Sequence, residues 1–239
     1  MEVNIFGEGA VGYKNIVKSS SSQDFFLYKK YKNYAVCTVA DGHSMDVFKY
    51  SHIGSYLACQ SVFEILKTYK LNEDIEKGEQ NFICDLKNKK VQNDIKNKWR
   101  DLVYREFYKR NYKVYKLDYM LFGTTLSFVI FLKEYIVFFN LGDSSILIKE
   151  DKDYVNVFKN NNFKFVNSLA LYNCEEKMQY SILKMNKDFK LVISTDGFIN
   201  SFETYHKLKS ELDRTFQILE KDIFSNRYLR NIYKKHLSN

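Results

Sequence analysis

The sequence predicts an α+β protein in which antiparallel sheets are covered by helices, and three observations carry that reading. Residues 2–40 alternate short β-branched and aromatic runs with Gly-rich and Ser-rich connections, two long amphipathic stretches fill the middle, and strand-like runs return before a helical end. That order is not the strand-helix alternation of a doubly wound parallel sheet. No internal repeat and no Pro-rich or Ser-rich linker divides the 239 residues, so a single domain over residues 1–239 is expected.

Taken in order, residues 3–6, 25–31 and 34–40 read as strands. Over residues 47–69, Ile53, Leu57, Val62, Ile65 and Leu66 recur at helical spacing, with Gly54, Ala58 and Cys59 allowing close packing. Residues 72–113 are highly charged, but Trp99, Leu102, Val103 and Phe107 give their second half an apolar helical face. Residues 124–132 and 135–148 form a hairpin about Lys133-Glu134. Weaker strands follow at 154–158, 180–185 and 191–195, then helices at 205–219 and 223–236.

Composition excludes several classes. Apolar residues are 45% and charged residues 28%, the balance of an ordinary globular chain. The longest strongly apolar stretch, residues 126–132, is far short of the roughly 20 residues needed to cross a bilayer, so no membrane partner is expected. The start of the chain has neither a basic segment nor an apolar signal core, which predicts a cytoplasmic protein. Cys37, Cys59, Cys84 and Cys174 lie on apolar segments without paired spacing and read as buried free thiols. The net charge of +8 comes from lysines scattered along a chain rich in Lys, Asn, Ile, Tyr and Phe, the bias of an AT-rich coding sequence. It forms no basic stripe, and no nucleic-acid partner is expected.

The chemistry concentrates at two corners. Residues 36–40 lead straight into Asp41-Gly42-His43, and residues 191–195 lead into Asp196-Gly197. A carboxylate at the end of a buried strand sits at the rim of the core, and a following glycine lets the backbone bend so that its carbonyl also faces a cation. Oxygen donors without clustered thiolate or imidazole suit Mg2+ or Mn2+ rather than zinc. A lone Asp-Gly is more often a tight turn, but neither copy is followed by the alternating strand that a hairpin needs. Two more polar junctions interrupt apolar runs: Gly123-Thr124-Thr125, and Asn140-Leu141-Gly142-Asp143-Ser144.

With Gln23-Asp24, these motifs resemble, in their order along nearly the whole chain, the metal-dependent protein serine/threonine phosphatases of type 2C, the PPM family. Val39-Ala40-Asp41-Gly42-His43 resembles the family's VADGH motif, Gly123-Thr124-Thr125 its G-[ST]-T strand, residues 140–144 its N-x-GDS motif, and Ser194-Thr195-Asp196-Gly197 its S-D-G element. The resemblance implies two packed antiparallel β-sheets flanked by helices, an αββα sandwich with two Mn2+ or Mg2+ ions in the cleft. It implies hydrolysis of phosphoserine and phosphothreonine by a metal-activated water without a phosphoenzyme. The partners it implies are a phosphoprotein substrate and a cognate serine/threonine kinase.

Carried over by position, Asp41 would bridge the metals, the Gly42 carbonyl would bind one and Asp196 the other, and Asp24 would orient waters. His43 would be the general acid for the departing oxygen. Asp118 matches a carboxylate that bacterial members use for a third metal, with a plain loop acid as the equal alternative. Asp143 would brace the site through hydrogen bonds.

Three departures stand out. The family's DGHGG reads Asp41-Gly42-His43-Ser44-Met45 here. The arginine that grips substrate phosphate is absent, leaving Lys18 as a point charge in its place. The family's final strand with its D-[DN] metal ligands is not visible after Asp196, where Asp222, with Ser225 after it, is the late candidate. The third departure motivates the alternative reading, a catalytically weak or inactive phosphatase-like module that binds a phosphoprotein or kinase.

Overall fold

Two antiparallel sheets stack face to face in the computed structural model, which describes residues 3–9, 22–110, 116–158, 166–185, 189–221 and 225–237. The larger sheet holds β1 (Phe25–Lys30), β2 (Ala35–Ala40), β3 (Leu126–Phe131), β4 (Tyr135–Leu141) and β7 (Gln179–Lys184), in the order β1-β2-β3-β4-β7. The smaller holds β5 (Ser145–Glu150), β6 (Asp153–Asn156) and β8 (Leu191–Ser194), in the order β6-β5-β8. The helices are α1 (Ser51–Thr68), α2 (Ile75–Lys87), α3 (Lys90–Lys109), α4 (Asp196–Asn200), α5 (Tyr205–Lys221) and α6 (Ser225–Leu237).

The layering follows from the two-residue period of the strands. Leu126, Phe128 and Ile130 of β3 and Val137 and Phe139 of β4 enter the core shared with α1. Their neighbours Val129, Phe131, Ile136 and Phe138 point the other way and meet Ile146 and Ile148 of β5. On β5, Leu147 faces outward to Leu208 and Leu212 of α5. Helix, sheet, sheet, helix is therefore the order through the molecule, as the sequence predicted. With both faces of β3 and β4 buried, these strands read as continuous apolar runs.

Four expectations are corrected. The run at 135–148 is two strands in different sheets: β4 ends at Leu141, the chain turns at Gly142 with φ 119°, and β5 starts at Ser145. A Cβ on Gly142 would lie 2.5 Å from Thr125 Cγ2, so only glycine makes this corner. Residues 3–9 form no strand; side chains anchor them instead, through a Glu8–Arg230 ion pair at 3.0 Å and a Phe6–Tyr233 ring contact at 5.6 Å. The charged stretch at 72–113 holds two helices, split where Lys89 takes the left-handed conformation at φ 59°. Cys84 is exposed, on the face of α2 opposite the fully buried Phe82 and Leu86. All four cysteines are free thiols. Among the described residues, no helix is long and apolar enough to cross a membrane.

Candidate metal centre

The strand ends bring four aspartates to one end of the sandwich. Asp24 immediately precedes β1, Asp41 follows β2, Asp143 lies between β4 and β5, and Asp196 follows β8. Burial raises the Asp41 pKa, and the charge of Asp24, a hydrogen bond with it, and the charges of Asp196 and Asp143 raise it further. Burial also raises Asp24, against the hydrogen bonds it shares with Asp41 and with Thr195, whose Oγ1 donates to Asp24 Oδ2 at 3.1 Å. Asp143 is raised by burial first and then by Asp196 and Asp24. Three carboxylates whose ionisation is opposed by burial and by one another, beside the charge of Asp196, are what a divalent cation would relieve.

The Asp41 corner is clamped through its backbone. Thr125 Oγ1 accepts from Asp41 N at 2.9 Å, while Thr124 Oγ1 and Thr125 N each donate to the Asp41 carbonyl at 2.9 Å. The Gly-Thr-Thr motif thus fixes where the aspartate leaves its strand. Gln23 locks the next residues: its Nε2 donates to His43 O and to Ser51 Oγ, each at 3.1 Å, and its carbonyl accepts from Gly42 N at 3.2 Å. A Cβ on Gly42 would sit 2.6 Å from Gln23 O and 2.9 Å from Ser51 O, so only glycine fits. Sequence reasoning had not given Gln23 or the two threonines these roles. Thr125→Val is expected to cost about 1–2 kcal/mol, because it orphans the Asp41 N–H, and to weaken Mn2+ binding. Thermal melts and metal titration of the variant check this.

The second corner is not a copy of the first. Asp196 opens α4, and its Oδ2 accepts from Asn200 Nδ2 at 3.2 Å. Nothing lies within 4 Å of a Cβ placed on Gly197, so this glycine answers no steric need. Asp143 also differs from expectation: its Oδ1 is buried without a hydrogen-bond partner among the described residues, so it does not brace the site through that oxygen. Asn140 does the bracing, bonded to Ser127 Oγ and donating to Gly142 O at 3.2 Å.

His43 follows Gly42, with its ring 4.7 Å from that of Phe48 and its N–H donating to Gly123 O at 3.1 Å. A Cβ on Gly123 would lie 2.8 Å from His43 Cδ2, so the glycine seats the imidazole. Burial lowers the His43 pKa and keeps the ring neutral near pH 7. Asp118 accepts from Met120 N at 2.9 Å as the cap of the turn Tyr119–Phe122, and it lines a surface cavity with Arg100 and Lys116. Lys18 and Asp222 lie outside the described residues.

The donors fit a hard divalent cation. They are carboxylates plus the Gly42 carbonyl, which accepts no hydrogen bond among the described residues, and the Asp143 Oδ1 orphan adds a buried oxygen in need of a partner. As they stand, no three acidic, imidazole or thiol side chains among the described residues converge enough to enclose an ion. The Asp24–Asp41 hydrogen bond would have to open to admit one.

A two-sheet sandwich flanked by helices, with aspartates gathered at its strand ends, matches the fold of known phosphatase domains. A family model described as protein phosphatase 2C matches residues 11–235, and the chain belongs to this family of protein phosphatases. Among solved structures, it is similar to the S. agalactiae serine/threonine phosphatase at 18% identity, covering 91% of this chain and 88% of that one with a TM-score of 0.53. A bacterial serine phosphatase matches at 13% identity over 91% and 86% of the two chains, with a TM-score of 0.59. The catalytic domain of the serine/threonine phosphatase PstP, in complex with two manganese ions, matches at 11% identity over 91% and 87%, with a TM-score of 0.54. At these identities the likeness is one of fold. A search of curated protein sequences finds no match.

Proposed function

We propose that this chain, as a single domain, hydrolyses phosphoserine and phosphothreonine in proteins with the help of two Mn2+ or Mg2+ ions. The observation that carries this reading is the set of aspartates gathered about Asp41, whose carboxyl feels the charges of Asp24, Asp143 and Asp196, beside a Gly42 carbonyl without a partner among the described residues. Asp41, held by Thr124 and Thr125, is central enough to serve both ions; Gly42 O would join one and Asp196 the other. Asp24, positioned by Thr195, orients water, and Asp143, whose charge raises the Asp41 pKa, has a buried Oδ1 without a partner among the described residues. Bound there, the ions would supply a nucleophilic water and charge stabilisation at the phosphate. We assign two ions and not three, because Asp118 shares its cavity with Arg100 and Lys116, which oppose a third cation. Lys18 remains the proposed substrate cation. Four free thiols suit the cytoplasm, with a cognate kinase as counterpart.

His43 is the proposed general acid. With its pKa below the usual histidine value, its acidic form declines as pH rises through that pKa, so peptide turnover should decline in the same direction. His43→Gln is expected to slow a phosphothreonine peptide about 100-fold and p-nitrophenyl phosphate far less, since nitrophenolate leaves without a proton. Equal losses on both substrates would remove His43 from the acid role.

The function itself is tested by phosphate release from a phosphothreonine peptide with Mn2+, alongside calorimetric Mn2+ binding. Turnover that stops on chelation is expected. Bound Mn2+ without turnover would replace the enzyme by a phosphoprotein-binding module.

A further inference from the structure

A surface depression of about 590 Å³ is lined by Arg100, Lys116, Asp118, Tyr119, Ala170 and Tyr172. It is open to solvent, so it suits a side chain of a larger ligand rather than an enclosed small molecule. Arg100 is held in place: Nη2 donates to Leu171 O at 3.2 Å and the guanidinium lies 5.2 Å from the Tyr119 ring centre. Its Nε is buried with no hydrogen-bond partner among the described residues. Lys116 is exposed and has no ion pair among them. Asp118 is the opposing charge in the lining, with Oδ1 committed to Met120 N, and Glu175, which also feels the Arg100 charge, is paired with Lys96 at 2.7 Å. Two cations, one partly engaged carboxylate and two tyrosines make a site that favours an anion.

The cavity is tied to the catalytic end. Leu169 N donates to Thr124 O at 2.9 Å, and Ser168 Oγ accepts from Thr124 N at 3.1 Å and from Ala170 N at 3.3 Å. One short segment thus runs from the threonine that holds Asp41 to the wall of the cavity. Asp118 lies one tight helical turn, about 10 Å at ~2 Å per residue, from Gly123, whose carbonyl accepts from the backbone N–H of His43 next to the Asp41-Gly42 corner. An extended peptide covers that distance in about three residues.

We infer that this cavity receives a second anionic side chain of the substrate, a carboxylate or phosphate about three residues from the phosphoester that is hydrolysed. The inference rests on the phosphatase reading above and adds a specificity element to it.

The test compares three phosphothreonine peptides that carry Gln, Glu or a second phosphothreonine three residues away on either side, with wild-type protein, Arg100→Gln and Lys116→Gln. Wild type should favour the two anionic peptides in kcat/KM by about tenfold, from a charge-assisted contact. That ratio should fall toward unity in both variants. Lys116→Gln removes an exposed side chain, so it reports even where Arg100→Gln disturbs folding. A preference for the phosphate peptide alone identifies the anion as phosphoryl; a preference for both identifies any acid. Equal kcat/KM for all three peptides in wild type overturns the inference. Should wild type turn over none of them, the phosphatase reading fails first. Fluorescence anisotropy with non-hydrolysable phosphonate versions then decides this site: tighter binding of the anionic peptides that Lys116→Gln removes supports it, and indifference to the flanking charge sinks it.

Discussion

Asp41→Asn is expected to lower kcat/KM on a phosphothreonine peptide by about 1,000-fold or more, roughly 4 kcal/mol of transition-state stabilisation, and at the same time to make the chelator-treated protein more stable. Both effects have one cause. Asp41 is half-buried beside Asp24, Asp196 and Asp143, and its pKa is raised first by desolvation and then by those charges. In the unfolded chain the carboxyl ionises at its ordinary value, whereas the folded protein holds the proton to higher pH. Above the unfolded pKa the unfolded state has shed a proton that the folded state retains, so this group's contribution falls as pH rises toward the folded pKa. Asparagine carries no such penalty. In chelator, the melting temperature of the variant should therefore match wild type near pH 4 and exceed it at pH 8 by about 2–8 °C, a gain of about 1–2 kcal/mol. Saturating Mn2+ should reverse the order, because only wild type gains the full binding free energy. A variant that is less stable than wild type in chelator at pH 8 would mean that Asp41 is not electrostatically strained.

Much of this was legible in the sequence because it depends on short-range patterns. The helical period of α1 placed its core face, the apolar run of β3 marked a strand, and Asp41 and Asp196 announced themselves as acids ending apolar strands. What stayed hidden depends on relations between distant residues. The apolar run resumes at once after the polar junction at 140–144, and nothing local reveals that β4 and β5 belong to different sheets; that choice is made by Gly142 fitting against Thr125. Asp196-Gly197 has the same two letters as Asp41-Gly42, yet one begins a helix and the other is wedged against Gln23 and Ser51. Gln23 looked like a neighbour of an acid, and its two side-chain bonds reach 20 and 28 residues along the chain. The threonine hydroxyls act across more than 80 residues, which no spacing rule detects.

Gly54→Ala is expected to destabilise the fold by about 3 kcal/mol or more, although alanine is the better helix former by ~1 kcal/mol. The sign is decided by contact. A Cβ at this position in α1 would come 1.9 Å from the carbonyl oxygen of Phe122 and 2.8 Å from its carbon, both backbone atoms that no rotamer change can move aside. The same point is fixed from two other directions: the Gly54 carbonyl accepts from Trp99 Nε1 at 3.0 Å, and Tyr50 N donates to Leu121 O at 2.8 Å. Making room means prising α1 from the turn Tyr119–Phe122, whose next residue, Gly123, seats the His43 ring. The loss corresponds to a fall in melting temperature of about 6–12 °C for a chain of this size. Catalysis should suffer below that temperature too, because the displaced turn carries Gly123 O away from His43 N. A melting temperature that rises by a few degrees, as helix propensity alone would give, would show that α1 does not meet the turn this closely.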